Sequence, residues 1–211
     1  MIIEDMNKTL IKTIKSPELE ELTTDFSEIA IDQLLGVDGV AKEIPIVASV
    51  LKVIKLGFSI NAILFLKKLG KFLWHLKDIP YNDRVKLAEK LERDSKYKSD
   101  VGSKIMLLLE RADDFEKPKI IANAFIAYLY DEITYTQLQR INFSVVHLFI
   151  GDIKEFESFY HDSEYDMDEC TRQNLELCGF VILIPVAGGG TNVEKVNELG
   201  KLFAEKVLLR G

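Results

Sequence analysis

Ile44 to Lys77, IPIVASVLKVIKLGFSINAILFLKKLGKFLWHLK, decides how the rest of the chain is read. It holds six lysines (Lys52, Lys55, Lys67, Lys68, Lys71, Lys77) and no acid, on a dense apolar background. The whole chain carries a net charge of -7, so everything outside this segment sums to -13, which is -7 minus +6. At about 100° per residue the polar positions of a single helix would not stay on one face. Lys52, Lys55 and Ser59 fall together, whereas Asn61, Lys68, Lys71 and His75 fall on a face rotated by roughly 140°. Gly57 sits just before the shift. The spacing predicts two helical pieces, about 45–57 and 59–76, or one helix that changes neighbours partway.

A basic, apolar, helical segment in an acidic protein suits a membrane surface, an acidic partner, or the protein's own acidic body. Its longest uncharged run, Leu56 to Leu66, is too short to span a bilayer. Widening the window to Ile44–Leu66 puts Lys52 and Lys55 near its middle, each costing about 2.5–3.5 kcal/mol, against about 0.3–0.6 kcal/mol returned by each large apolar residue. The sum is near zero, which favours surface binding or conditional insertion over a stable membrane span. The residues expected to bind a membrane or partner are Lys52, Lys55, Lys67, Lys68 and Lys71 for charge, with Phe58, Phe65, Phe72 and Trp74 as apolar anchors. The competing expectation is a buried helix pair whose lysines snorkel outward.

The bulk properties fit an ordinary globular protein: 211 residues, 47% hydrophobic and 29% charged, which leaves enough apolar material for a core and excludes a disordered or collagen-like chain. Cys170 and Cys178 are the only cysteines and do not make a disulfide framework. The N-terminus MIIEDMNKTLIKTIK lacks the order of a signal peptide. The expected location is cytoplasmic, with peripheral attachment at the inner membrane face as an option.

Outward from the basic segment the pattern stays helical. Residues 1–43 are acidic, with helical spacing at Leu10, Ile11 and Ile14 and again from Leu19 to Leu35. Asp83 to Arg93 reads as a charged helix with Val85, Leu87, Ala88 and Leu91 inward. Ser99 or Asp100 can cap the helix holding Ile105 to Leu109, and Pro118 suits a first helical turn. Ile120 to Tyr130 (IIANAFIAYLY) is apolar on nearly all sides, which predicts a central buried helix. Thr134 caps a helix through Phe149 in which His147 reads as a core or core-edge residue, and Gly151-Asp152 opens a short helix through Phe159. Tyr165 to Leu177 reads as a helix, Gly179 to Val186 as a strand, Val193 to Val196 as its partner, and Asn197 as the cap of a last helix to Leu209. The expected fold is mainly α: a multi-helix bundle over residues 1–160, and a helix-hairpin-helix module with a small β-hairpin over 161–211.

That C-terminal order resembles the end of a winged-helix domain. The resemblance rests on Leu175, Gly179-Phe180, the Gly188-Gly189-Gly190 tip and Val196-Asn197-Glu198-Leu199-Gly200, about 45 residues in all. It implies a module for assembly or for DNA binding. The chain also resembles uncharacterised bacterial proteins with an apolar, lysine-bearing segment ahead of a helical body, on FLKKLGKFL and IANAFIAYLYDEITYTQLQRI. No activity comes with that likeness.

Catalytic and ligand motifs are not recognisable. Read as a calcium loop from Asp162, the acidic stretch puts Met167 where glycine is needed and Gln173 where glutamate is needed. Gly188-Gly189-Gly190 is followed by Thr191 with no P-loop lysine, so a hairpin tip is the simpler reading. His75, His147 and His161 form no HExxH, and there is no G-x-S-x-G. The helix before the hairpin is acidic, the wrong sign for DNA phosphates. The sequence therefore points to a non-enzymatic protein with no cofactor and no metal, acting through residues 44–77 on a membrane surface or protein partner; a bacterial immunity effector or toxin would behave so. The alternatives are a soluble scaffold that oligomerises through the winged-helix-like tail, and a DNA-binding regulator.

Overall fold

The computed structural model describes residues 2–22, 42–56, 60–93, 101–185 and 193–210. The expected helix beyond Leu22, Gly57 and Phe58, the cap at Ser99 or Asp100, and the glycine tip with Thr191 lie outside the described residues. Within them the protein is mainly helical: α1 (Ile2–Ile14), α2 (Pro45–Leu56), α3 (Ile60–Leu76), α4 (Tyr81–Arg93), α5 (Val101–Arg111), α6 (Lys117–Leu129), α7 (Tyr135–His147), α8 (Ile153–His161), α9 (Glu169–Leu177), strands β1 (Val181–Ile184) and β2 (Val193–Val196), and α10 (Glu198–Phe203). A helical bundle ending in a small antiparallel hairpin is thus the observed class. The chain divides into two compact units, residues 1–122 and 123–211, with the division inside α6. The helix-hairpin-helix segment belongs to the second unit together with residues 123–160.

In the first unit α1 is the central strut, packing on α2, α4 and α5. Its approach to α5 is close: a Cβ on Gly102 would meet Asn7 Oδ1 at 2.7 Å and Asn7 Cα at 3.0 Å. Helix ends leave backbone groups without intrahelical partners, and α1 supplies two of them. Asn7 Oδ1 accepts from Ser103 N–H at 3.1 Å in the first turn of α5, and Thr13 Oγ1 accepts from Ile46 N–H at 3.1 Å in the first turn of α2.

The end of α1 is held by Arg84. Although charged, its side chain is completely buried. Nε donates to Ile79 O at 3.0 Å, and Nη1 donates to Ile14 O at 3.1 Å and Ser16 O at 3.0 Å. Nη2 lies 3.3 Å from Glu20 Oε1, and Glu20 also accepts from Tyr81 N–H. The guanidinium fork serves several carbonyls at once, which a single ammonium point charge does not do. Ala88 and Leu91 are buried as expected; Val85 and Leu87 are only half-buried, because Arg84 takes the innermost place on α4.

In the second unit, Asn123–Leu129 of α6 is buried throughout, while Tyr130 beyond it is exposed. α7 starts with a capping box: Thr134 Oγ1 accepts from Gln137 N–H, and Gln137 Oε1 accepts from Thr134 N–H. His147 is exposed rather than core, since it ends α7 with its ring against exposed Phe143. α9 begins at Glu169 rather than Tyr165, because the Asp168 carboxylate accepts from Cys170 and Thr171 N–H and fixes the helix start there. It ends in a Schellman turn: Gly179 N–H bonds Glu176 O at 2.9 Å and Phe180 N–H bonds Leu175 O at 3.0 Å, with Gly179 at φ +74°. That turn occupies the first two residues of the expected strand, so β1 starts at Val181.

β1 pairs β2 antiparallel, with Val181 opposite Val196 and Ile184 opposite Val193. Asn197 ties the hairpin to both flanking helices. Its N–H bonds Phe180 O at 3.1 Å, its Nδ2 donates to Gly179 O at 2.8 Å, and its Oδ1 accepts from Gly200 N–H at 2.9 Å as the cap of α10. Gly200 lies so close to the Phe180 carbonyl that any side chain there would collide with it. Beneath this junction Phe156, Phe180 and Phe203 are fully buried, with the rings of Phe180 and Phe203 stacked at 4.2 Å. α10 continues as a π turn over Ala204–Leu208, and the buried Asn123 amide donates to Val207 O at 2.8 Å.

Replacing Arg84 by Ala leaves several buried carbonyls unpaired and should cost on the order of 3–5 kcal/mol. Glu20→Gln, at the solvent edge, should cost about 1 kcal/mol or less. Denaturant unfolding followed through Trp74, the only tryptophan and a residue of the same unit, measures both.

Candidate functional site

The basic segment forms α2 and α3, packed on each other, with α3 also packed on α5. α3 buries Ile63, Leu66, Leu69, Gly70, Phe72, Leu73 and Leu76 on one side. The opposite stripe runs Ile60, Leu64, Lys67, Lys71, at spacings of four, three and four residues. Its two halves differ. Toward the C-terminus it is covered by the end of α5 and the connection to α6. Lys71 Nζ pairs with Glu116 Oε1 at 2.6 Å and is only 17% exposed, and Lys68 Nζ donates to Glu110 O at 3.2 Å. Nearby, the buried Lys117 ammonium pairs with Asp113 at 2.6 Å. Toward the N-terminus the stripe is open: Ile60 is 66% and Leu64 37% exposed.

The electrostatics follow the geometry. The bond from Lys71 holds the Glu116 carboxyl below the usual carboxylate range, and the bond from Lys117 does the same for Asp113. Burial pushes the Lys68 ammonium down, against the pull of Asp113 and Glu110. Depressed carboxyl values mean that these contacts stabilise the fold above the ordinary carboxylate pKa and are lost only as pH falls through the lowered value.

Of the residues expected to face a membrane or partner, Lys52 is exposed on α2, and Phe65, Lys67, Lys68, Lys71 and Trp74 are half-buried on α3. Phe72 is wholly buried. The Lys55 side chain and Phe58 lie outside what is described. The Lys77 ammonium sits 3.3 Å from the centre of the Trp74 ring, a cation–π contact. Magnitudes decide what holds α3 in place. Each large buried side chain contributes about 1.5–3 kcal/mol, so its apolar face contributes on the order of 10 kcal/mol, against about 1 kcal/mol for a part-exposed ion pair such as Lys71–Glu116. Phe72 therefore serves the core unless the whole helix leaves it. Ile60 and Leu64 are the outward apolar residues, and the 60–64–67–71 spacing was the signal that could have found them.

Among the described residues no group of three or more His, Cys, Asp or Glu side chains is placed to hold a metal ion. Within 162–169, Asp168 is a helix cap and its own N–H bonds Glu155 Oε2 at 2.9 Å. Residues 123–211 carry seven basic and fourteen acidic residues, hence the entire net charge of -7, while residues 1–122 carry twenty of each. That sign opposes phosphate contacts in the hairpin-bearing unit. The same unit exposes Phe143 (63%), Phe149 (68%) and Leu177 (81%) beside the α7–α9 seam, where Ser144 Oγ donates to Cys178 O and Asn174 Oδ1 accepts from Phe149 N–H. Among the described residues no helix is long and apolar enough to cross a membrane. Comparison of the chain with known protein families, curated proteins and solved structures gives no match.

Asp152 offers a pH test in the second unit. It is buried and accepts from Thr171 Oγ1 at 3.1 Å. Burial raises its pKa; the Thr171 bond opposes this, and the nearby Glu155 and Asp168 charges reinforce it. A folded-state value above the unfolded one means that folding is helped where Asp152 is protonated, and that this help is lost as pH rises through the folded value. Asp152→Asn keeps the acceptor and removes the charge. The variant should melt above wild type at neutral pH, with the difference closing below about pH 4. Tm measured against pH reads it directly.

Proposed function

We propose that this protein acts without catalysis, by docking its basic α2–α3 pair on an anionic membrane surface. The observation that carries the reading is the open N-terminal half of the α3 stripe, where Ile60 and Leu64 stand exposed in a segment with six lysines and no acid. Exposed aliphatic residues beside lysines are the combination that binds anionic bilayers peripherally: the first contribute apolar transfer, the second Coulomb attraction. No membrane-crossing helix is needed for this, and peripheral attachment is the mode the reading assigns. A second reading has its own observation. Phe143, Phe149 and Leu177 around the α7–α9 seam suit a protein-docking face, consistent with a scaffold role for the hairpin-bearing unit.

Co-sedimentation with phosphatidylserine-containing and with pure phosphatidylcholine vesicles tests the first reading. Wild type should bind the anionic vesicles selectively, and the binding should fall with added salt. Lys52→Glu/Lys67→Glu should weaken it by about tenfold or more, with the circular dichroism spectrum unchanged. No binding by folded wild type would remove the membrane reading and leave the protein-docking face of the second unit.

A further inference from the structure

We infer that β1 is a docking edge for a second copy of this chain: the outer edges of two β1 strands pair antiparallel about a two-fold axis at Leu183, joining two hairpins into one sheet. This is independent of the membrane reading and concerns the hairpin-bearing unit alone. The ladder fixes which backbone groups are available. In an antiparallel pair every second residue bonds the neighbouring strand, and the residues between turn their N–H and C=O the other way. Asn197 N–H bonds Phe180 O, and Val181 stands opposite Val196. Phe180, Ile182 and Ile184 therefore face β2, while Val181 and Leu183 face the outer edge. Among the described residues no strand pairs with that edge. Val181 is buried, but Leu183 is 43% exposed, and among the described residues its N–H and C=O have no partner. The side chains lead to the same edge. Successive residues of a strand lie on opposite faces, so Ile182 and Ile184 share one face and Leu183 lies on the other. Ile182 is 43% and Ile184 40% exposed, which leaves β1 apolar and open on both faces, where a hairpin ordinarily turns a polar face to water. β2 differs: it carries Lys195 and Glu194, the latter paired with Arg172. Charge on an edge strand discourages added pairing, and β1 has none.

The edge chooses its occupant. Free N–H and C=O groups on a strand are matched by another extended backbone, not by a helix. The β1 strand of a second copy meets the requirement without opposing like charges. With Leu183 opposite the partner's Leu183, Ile182 lies opposite the partner's Ile184, so each of these side chains meets an apolar one. Antiparallel pairing of identical strands is closed by its own two-fold axis, and it leaves the charged β2 strands at the borders of the joined sheet. Pro185 has no N–H, which keeps the paired stretch short and the contact in the weak, reversible class.

Sedimentation equilibrium of the full chain without lipid, over roughly 1 µM to 1 mM, tests this. Wild type should move from the mass of one chain toward that of two as concentration rises. Leu183→Lys sets the new ammonium opposite Glu194 within the hairpin but against its own copy across the axis. It should fold, and the dimer should weaken by about tenfold or more. Leu183→Pro removes the outward N–H and no bond to β2, and should act in the same direction, with circular dichroism checking the fold of both variants. In wild type the Leu183 amide should gain hydrogen-exchange protection as the dimer forms. A wild type monomeric at every concentration, an undiminished dimer in the folded variants, or a dimer whose Leu183 amide stays unprotected overturns the inference. So does a dimer that Phe149→Ser/Leu177→Ser abolishes and the Leu183 variants keep, which places the contact at the α7–α9 seam.

Discussion

The first unit depends on one buried guanidinium. Arg84 reaches from α4 to the Ile14 carbonyl that ends α1, to the Ser16 carbonyl just beyond it and to the carbonyl of Ile79, in the short connection after α3. It thereby fixes where α1 stops and how the chain leaves α3. Since α1 packs on α2, α4 and α5, a shift of its end would move the contacts of three helices. A charge is costly to bury; here Nε and Nη1 donate to three carbonyls, and Nη2, without a hydrogen bond, lies 3.3 Å from the Glu20 carboxylate at the solvent edge. The remaining cross-connections are of the same kind: Asn7 and Thr13, both on α1, serve the first turns of α5 and α2. The unit is thus a set of helices whose ends are satisfied by side chains of one strut, with apolar packing between them.

The second unit solves the same problem around a hairpin too small to stand alone. Asn197 bonds the Schellman turn on one side and caps α10 on the other, and Gly200 allows the backbone of α10 to touch that of Phe180. The stacked rings of Phe180 and Phe203, with Phe156 tilted against both, then fill the space beneath the junction. Where α10 widens into a π turn, the amide of Asn123 holds a freed carbonyl, which accounts for an asparagine in an otherwise apolar helix.

What was legible in the sequence was what local periodicity and capping control. Helix over Pro45–Leu56 and Ile60–Leu76, the buried core of α6, the Thr134 and Asn197 caps and the second strand all follow from spacing and side-chain chemistry within a few residues. What escaped depended on partners far along the chain. Arg84 looks like any charged position on α4 until Ile14 and Ser16, some seventy residues earlier, are brought beside it. His147 looked interior because its helix is apolar, yet helix ends are where a face turns to solvent. At the candidate site the lysines were visible, but not which of them face acids of the connection after α5. Nor could the pattern distinguish Phe72, on the packed face, from Ile60 and Leu64, on the open one, without knowing which side α5 covers.

That division reconciles two descriptions of the basic segment that first look exclusive. The apolar content of residues 44–77 exceeds what one outward stripe needs, and most of it forms the core of the first unit. Of its lysines, Lys71 pairs with the Glu116 carboxylate and Lys68 donates to the Glu110 backbone carbonyl. A helix can serve both ends because its stripe changes character along its length: closed by the protein's own acids over its C-terminal turns, and aliphatic and open over its N-terminal turns. The energetic order follows from this. Packing fixes the helix, the Lys71–Glu116 pair and the Lys68 bond to the Glu110 carbonyl add smaller contributions, and Ile60 and Leu64 are its exposed aliphatic remainder.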